Sequence, residues 1–258
     1  MKNILLTPLH LIGKESLLLK INKIRSLSIL AIWISSLNLM GQAIVNIEDL
    51  RREGEIGFFT NISVNFNASR GNRDRDFYSA QLRFDSNSEK AESFLILQQS
   101  ERKSNDKPID ESTFMHARYI LVGQEAVNWE VFTQYSENPF RNYKKRSILG
   151  GGLRYELSES ARFGAGLLNE DEEDLIGSSK TTERLGFYLH NSFAVAENIF
   201  LKPTLYFQPS LDDFENDYKA SIIIALDFKV NENVNIKMQY SAFHDSDPPM
   251  FAEKTDES

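Results

Sequence analysis

The sequence contains no cysteine, and only four of its 258 residues are histidine. The absence of cysteine excludes disulfide bonds, thiolate metal sites and a cysteine nucleophile. Hydrophobic residues make up 41% and charged residues 26% of the chain, which is too polar for a bundle of membrane helices. A membrane β-barrel tolerates this composition, because only alternate residues of its strands must be apolar.

Clustered positive charge is also missing outside the N-terminal region, and the net charge is -8. Binding to phosphate backbones needs a basic surface, so we expect no nucleic-acid partner. The sequence has no Gly-x-Ser-x-Gly, His-Glu-x-x-His or phosphate-loop motif. We therefore expect no catalytic, metal-binding or cofactor-binding residues.

The N-terminal region has the pattern of an export signal. Lys20, Lys23 and Arg25 precede the apolar run 27–40, which is short for a spanning helix, and small residues follow at Gly41-Gln42-Ala43. We predict a signal peptide over residues 1–43 with an extended N-region, cleaved after Ala43. The alternative is a single membrane anchor. Residues 44–54 would form a short periplasmic lead-in.

Alternation with a period of two dominates the rest of the chain and predicts long β-strands. In segment 55–68 the apolar face comprises Ile56, Phe58, Thr60, Ile62, Val64, Phe66 and Ala68. We predict eleven strands, near 55–68, 76–86, 92–101, 112–121, 128–136, 146–157, 161–169, 181–194, 199–208, 217–230 and 234–243. Many of them have about the length that a tilted membrane-crossing strand requires.

The predicted links alternate between short and long, as the turns and loops at the two ends of an outer-membrane barrel do. Aromatic residues of the apolar faces lie near the strand ends, which predicts two aromatic bands. The short-turn band contains Phe58, Phe84, Trp129, Tyr155, Phe193 and Phe228. The long-loop band contains Phe66, Tyr78, Tyr135, Tyr218 and Tyr240. The fold class we expect is all-β, an antiparallel up-and-down transmembrane β-barrel.

The polar faces would line the lumen of this barrel. They carry Arg83, Arg118, Arg154, Arg162, Arg184, Lys202, Lys219, Lys237, Asp85, Glu130, Glu156 and Asp227. These mixed charges favour a lumen partly filled by paired side chains over a wide pore. Glycines cluster on two adjoining predicted strands, which indicates a tight bend or a close strand contact. Those glycines are Gly150, Gly151, Gly152, Gly164 and Gly166.

Two segments resemble parts of a bacterial family of salt-induced outer-membrane proteins, the domain of unknown function family 481. Residues 147–157, Ser-Ile-Leu-Gly-Gly-Gly-Leu-Arg-Tyr-Glu-Leu, and 161–168 are similar to its central hairpin. Residues 243–256, with Pro248-Pro249 and Lys254-Thr255-Asp256, are similar to its last long loop. The resemblance covers most of residues 55–258. It implies a barrel in the outer membrane and no established catalytic residue.

In that family a closing strand follows the Lys-Thr-Asp element. Bacterial barrels also have even strand numbers. We therefore expect about 12 strands, of which about 11 are present, so that the barrel domain 55–258 lacks its last strand. The residues after 243 would form a long external loop.

Two features offer alternatives to a barrel without enzymatic activity. His190 and Ser192 share a strand face and could serve a membrane-embedded lipid hydrolase, in which the histidine activates the serine. The carboxylate run 170–174 could bind calcium weakly, although a solvated acidic loop is the interpretation we prefer.

The function we expect is that of a non-enzymatic outer-membrane protein, either an envelope protein or a small channel. Its partners would be outer-membrane lipid and the barrel-assembly machinery. The sequence names no ligand.

Expression in a Gram-negative host should yield a mature protein that begins at Ile44, because the small residues before it suit signal peptidase. N-terminal sequencing of the membrane fraction tests this. Retention of residues 27–40 would contradict the cleavage and favour the membrane anchor.

Overall fold

A computed structural model describes residues 56–123, 126–141, 143–231, 234–249 and 254–257. The predicted signal peptide and lead-in lie outside these residues. The described strands are β1 Gly57–Ser69, β2 Arg75–Asn87, β3 Ala91–Ser104, β4 Lys107–Leu121, β5 Val127–Asn138, β6 Tyr143–Glu156, β7 Ala161–Asp174, β8 Ser179–Asn191, β9 Phe193–Ala196, β10 Ile199–Pro209, β11 Tyr218–Lys229, β12 Asn235–Asp245 and β13 Thr255–Glu257. Within this part of the chain, no helix has the length and apolar character needed to span a membrane.

The strands form one antiparallel sheet in which neighbours in sequence are neighbours in space. Its order runs β1-β2-β3-β4-β5-β6-β7-β8-β10-β11-β12-β13, and the short β9 pairs with β10. This confirms the all-β, up-and-down architecture. Over the described ranges, no pairing register joins β1 to β12 or β13, so the sheet is a curled but unclosed barrel.

Side chains alternate between an apolar outer face and a polar inner face. On β5, Trp129 and Val131 face outward and are 62% and 49% exposed. Their neighbours Asn128 and Glu130 point inward and are buried. Successive strand side chains point to opposite faces, so the period-two pattern of the sequence translates directly into an inner and an outer surface. The predicted faces are confirmed.

Aromatic rings occupy both ends of the outer face, as predicted. Phe58, Trp129 and Phe193 are exposed toward the short-turn end, and Phe66 and Tyr78 are exposed toward the other. Cross-strand partners pack together within each band, with ring centroids 6.4 Å apart for Phe58 and Phe84 and 5.0 Å apart for Phe66 and Tyr78. At about 3.3 Å per residue, the two rings of β1 are separated by about 26 Å along the strand.

The predicted alternation of long and short links is wrong, because most of the predicted long loops are strand. β3 and β4 meet at a turn of only Asn105 and Asp106, whose φ angles of 50° and 61° suit a tight hairpin. β7 and β8 are likewise joined by residues 175–178 alone. The polar residues of these segments form ladder pairs between adjacent strands and are not part of loops. The link 210–217 does remain a loop.

All eleven predicted strands are present, with two differences. The segment 181–194 divides into β8 and β9, and the division lies opposite Pro203 of β10, whose nitrogen has no hydrogen to donate to a ladder. The segment predicted as the last loop contains β13, which pairs residues 255–257 with 242–244 of β12. Within the described residues, the three-residue β13 therefore occupies the twelfth position in the sheet order, next to β12.

The glycine cluster marks a close approach of backbone and rings, which confirms the close-contact interpretation. Gly152 lies opposite Gly166 in the β6–β7 register. A Cβ atom on Gly152 would lie 2.3 Å from the carbonyl oxygen of Ala165. A Cβ on Gly164 would lie 1.9 Å from the ring of Tyr188. Gly164 thus leaves room for the Tyr188 ring, and Gly152 and Gly166 let the β6 and β7 backbones approach closely.

Replacing the outward-facing Leu167, which is 58% exposed, by arginine should destabilise the protein in lipid by about 2–4 kcal/mol. The charge would have to enter hydrocarbon. Urea unfolding from lipid vesicles measures the change. Leu175→Arg, in the β7–β8 link, is the control and should cost little. Equal costs would contradict the assignment of the outer face to lipid.

Gly164→Ala should destabilise the protein by about 1–3 kcal/mol, because the new methyl group collides with the Tyr188 ring. The same unfolding assay provides the measurement. Gly186→Ala is the matched control on the next strand, where the nearest atom is the flexible Leu168 side chain at 3.2 Å. A larger effect at Gly186 would refute the explanation.

Candidate functional site

The strongest cluster of polar groups lies inside the barrel, toward the end that holds the β7–β8 link, and centres on Glu170 of β7. Its carboxylate contacts Arg146 of β6, Arg184 Nε at 2.6 Å and Lys219 Nζ at 2.9 Å. All four side chains are 2% exposed or less. Arg146 and Arg184 extend from the two strands that flank β7, and Lys219 extends from the more distant β11, so a single carboxylate joins four strands of the sheet.

Further carboxylates surround the same cations. Lys219 Nζ lies 3.0 Å from Glu172 and 3.2 Å from Asp245, and Arg184 Nη1 lies 2.7 Å from Asp217. Burying an unpaired charge is expensive, and these contacts supply each cation with opposite charge. We call Arg146, Glu170, Glu172, Arg184, Asp217, Lys219 and Asp245 the ionic layer.

The ionic layer crosses the lumen instead of following its wall. Glu170 and Lys219 lie on β7 and β11, which are separated in the sheet by β8 and β10. Such a contact requires the sheet to curl until distant strands approach each other. The layer therefore both holds the curvature and occupies the interior.

A second network crosses the middle of the lumen. Glu130 accepts hydrogen bonds from Arg118 Nη1 at 3.0 Å and from the Tyr188 hydroxyl at 3.2 Å. Arg154 Nη1 donates to the same hydroxyl at 3.1 Å. Tyr188 belongs to β8 and Glu130 to β5, so this network also joins strands that are not neighbours.

Between the two networks lies a small cavity of about 60 Å³, lined in part by His116, Gln134, Tyr206 and Gln208. His116 is 1% exposed, its Nδ1 lies 3.3 Å from Gln134 Oε1, and its ring stacks near Phe94, Phe114 and Phe132. This volume would accommodate a few water molecules but no large solute.

Pairs of opposite charge continue toward the end that holds the β2–β3 and β6–β7 links. Arg83 Nε donates to both carboxylate oxygens of Asp85, at 3.0 and 2.8 Å. Glu156 receives Arg154 at 2.7 Å and Arg162 at 3.2 Å. Paired charges thus occur on the inner face both at the level of the ionic layer and toward this opposite end.

Most of the predicted lumen residues are confirmed. Arg83, Arg118, Arg154, Arg162, Arg184, Lys219, Asp85, Glu130 and Asp227 are buried. Lys202 and Glu156 form ion pairs at intermediate exposure, and Lys237 lies on an exposed part of β12. Sequence analysis missed Arg146 and Glu170 because it placed both at or beyond strand ends. Had the predicted strands been extended to the lengths that β6 and β7 have, their alternation would have placed both residues on the inner face.

The acidic run 170–174 is not a solvated loop, and the prediction is wrong there. Its residues belong to β7, and Glu173 pairs with Lys144 at 2.7 Å and Lys145 at 2.8 Å. Asp174 caps the following turn by accepting hydrogen bonds from the backbone N–H groups of Ile176 and Ser178. Among the described residues, no group of three or more His, Asp or Glu could hold a metal ion.

The His190–Ser192 pair does not occupy one regular strand. His190 lies near the end of β8 and is 4% exposed, and its Nδ1 lies 2.8 Å from Thr204 Oγ1 on β10. Ser192 lies in the break between β8 and β9, where its N–H donates to Asn191 Oδ1 at 2.7 Å. The histidine thus has a structural partner on the neighbouring strand.

A family model described as "Protein of unknown function, DUF481" matches residues 62–258. The chain belongs to this family. The match confirms the resemblance seen in the central hairpin and the C-terminal segment. The family description assigns no activity to the DUF481 members, and no curated protein matches the chain.

Among solved structures, the fold is similar to the translocator domain of the autotransporter NalP from Neisseria meningitidis. The identity is 11% and the TM-score 0.46, over 76% of this chain and 86% of that chain.

Proposed function

We propose that this DUF481 protein is a non-enzymatic β-barrel of the bacterial outer membrane, an envelope protein or narrow channel with an obstructed lumen. It would be exported through an N-terminal signal and inserted by the barrel-assembly machinery. The observation that carries the proposal is the contrast between an outer face of exposed apolar residues with two aromatic bands and an inner face of buried charges. A lipid environment favours this inside-out distribution.

The ionic layer favours an obstructed lumen over a general pore. Porins leave an aqueous channel through a wide barrel, whereas small barrels are filled by side chains. Glu170 and Lys219 bridge the interior here, and Tyr188 and Glu130 bridge it again. Large solutes could pass through this sector only if both bridges opened.

Wild-type protein in planar lipid bilayers should show small or no conductance, and Glu170→Gln should increase it. Loss of this carboxylate leaves Arg146, Arg184 and Lys219 without their shared counter-charge, so they repel one another and the ionic layer loosens. Urea unfolding should show a cost of about 3–5 kcal/mol, the cost of breaking a buried ion pair.

Glu183→Gln is the matched control on the exposed outer face, and it should change neither conductance nor stability. If Glu170→Gln fails to insert, Lys219→Met tests the same bridge from the other side. A large, steady wild-type conductance that neither substitution changes would contradict the obstructed lumen.

The alternative is a lipid hydrolase that uses His190 and Ser192. The buried position of His190 and its contact with Thr204 favour a structural role for the histidine. The purified protein should release no fatty acid from phospholipid vesicles, and Ser192→Ala should leave this background unchanged. Fatty-acid release that disappears in Ser192→Ala would establish the hydrolase.

A further inference from the structure

The inner face of β1–β3 differs in chemistry from the rest of the lumen. The ladder registers place six uncharged polar side chains side by side there: Ser63, Asn65, Ser79, Gln81, Gln98 and Ser100. Ser63 pairs with Gln81 and Gln81 with Gln98, while Asn65 pairs with Ser79 and Ser79 with Ser100. We call these six residues the neutral field.

The neutral field faces the interior because its neighbours in the same registers do. Arg83, two residues from Gln81 on β2, and Ile96, two residues from Gln98 on β3, are both buried in the lumen. Side chains two residues apart on a strand share a face. The field is nevertheless accessible, since Asn65 is exposed and the other five members are half-buried.

Most of the hydrogen-bonding capacity of the field is unused within the described residues. Ser100 and Ser112 hydroxyl oxygens lie 2.8 Å apart, and Asn65 Nδ2 lies 3.5 Å from Ser63 Oγ. The amides of Gln81 and Gln98 have no side-chain partner among the described residues. Each glutamine amide offers two donors and a carbonyl acceptor, so the pair presents both kinds of group to the lumen.

Charged side chains border the field on both sides along the strands. Below it, Arg83 and Asp85 neutralise each other through a bidentate contact. Above it, the Arg102 guanidinium carbon lies 5.4 Å from the centre of the Phe77 ring. The six residues of the field carry no charge themselves, so a charged ligand would find no countercharge among them, and an apolar ligand would strip water from the amides without replacing their hydrogen bonds.

We infer that the neutral field is a binding site for a free, uncharged oligosaccharide. Hydroxyl groups of such a ligand both donate and accept, which matches the amides and hydroxyls of the field. The ring of Phe114, which pairs with Gln98 in the β3–β4 register, adds an apolar surface beside the field for the C–H face of a sugar ring. β1 continues this chemistry from Asn61 to Asn67, about 20 Å along the strand, which suits a chain of sugars.

The test is calorimetric titration of the full chain, folded in a phosphocholine detergent so that no sugar headgroup competes. The probes are maltohexaose, mannohexaose and chitohexaose, with hexagalacturonate as the acidic comparison. At least one neutral probe should bind saturably and more tightly than the acidic one. Gln81→Leu and Gln98→Leu should each weaken that binding about tenfold, since each removes hydrogen bonds.

Gln99→Leu is the matched control, because it lies one residue further along β3 on the exposed outer face, and it should leave binding unchanged. Heat-modifiable gel mobility verifies folding of each variant, and Ser100→Ala replaces any glutamine variant that fails to fold. The inference is overturned if no neutral probe binds, if hexagalacturonate binds as tightly, or if Gln98→Leu and Gln99→Leu have equal effects.

Discussion

The need to pair every charge that is buried inside the barrel governs the rest of this structure. Glu170 contacts Arg146, Arg184 and Lys219, and none of these side chains reaches bulk solvent. A carboxylate alone in such a place would be strongly unfavourable, as would each cation. The sheet must therefore curl until strands from separate walls supply each other's counter-charges, and the curvature and the ionic layer depend on each other.

The interior has two sectors that differ in whether their side chains are charged. Over β5–β11, arginine, lysine and carboxylate side chains bridge the lumen, and the ring of Tyr188 lies against Gly164. Over β1–β3, amides and hydroxyls face the interior and retain free hydrogen-bonding capacity. Side chains of the first sector fill part of the lumen and connect distant strands. The second sector leaves a polar surface to which a ligand could bind.

The period-two pattern was sufficient to predict the eleven long strands and the direction of most side chains, because strand geometry alone makes successive residues alternate. It failed where polar residues extend a hairpin. Asn105 and Asp106 adopt left-handed backbone angles in a two-residue turn, and the polar segments around them pair in register. Composition marked those segments as loops, since polarity on both faces removes the pattern that identifies a strand.

The fold class, the two faces and most of the lumenal charges can be predicted from the sequence, since each follows from local alternation along one strand. Which charges meet depends on the three-dimensional arrangement of the strands. The contacts of Lys219 with Glu170 and of Tyr188 with Glu130 join strands that are neither consecutive in sequence nor adjacent in the sheet. Such partners depend on how far the whole sheet curls, and no single strand carries that information.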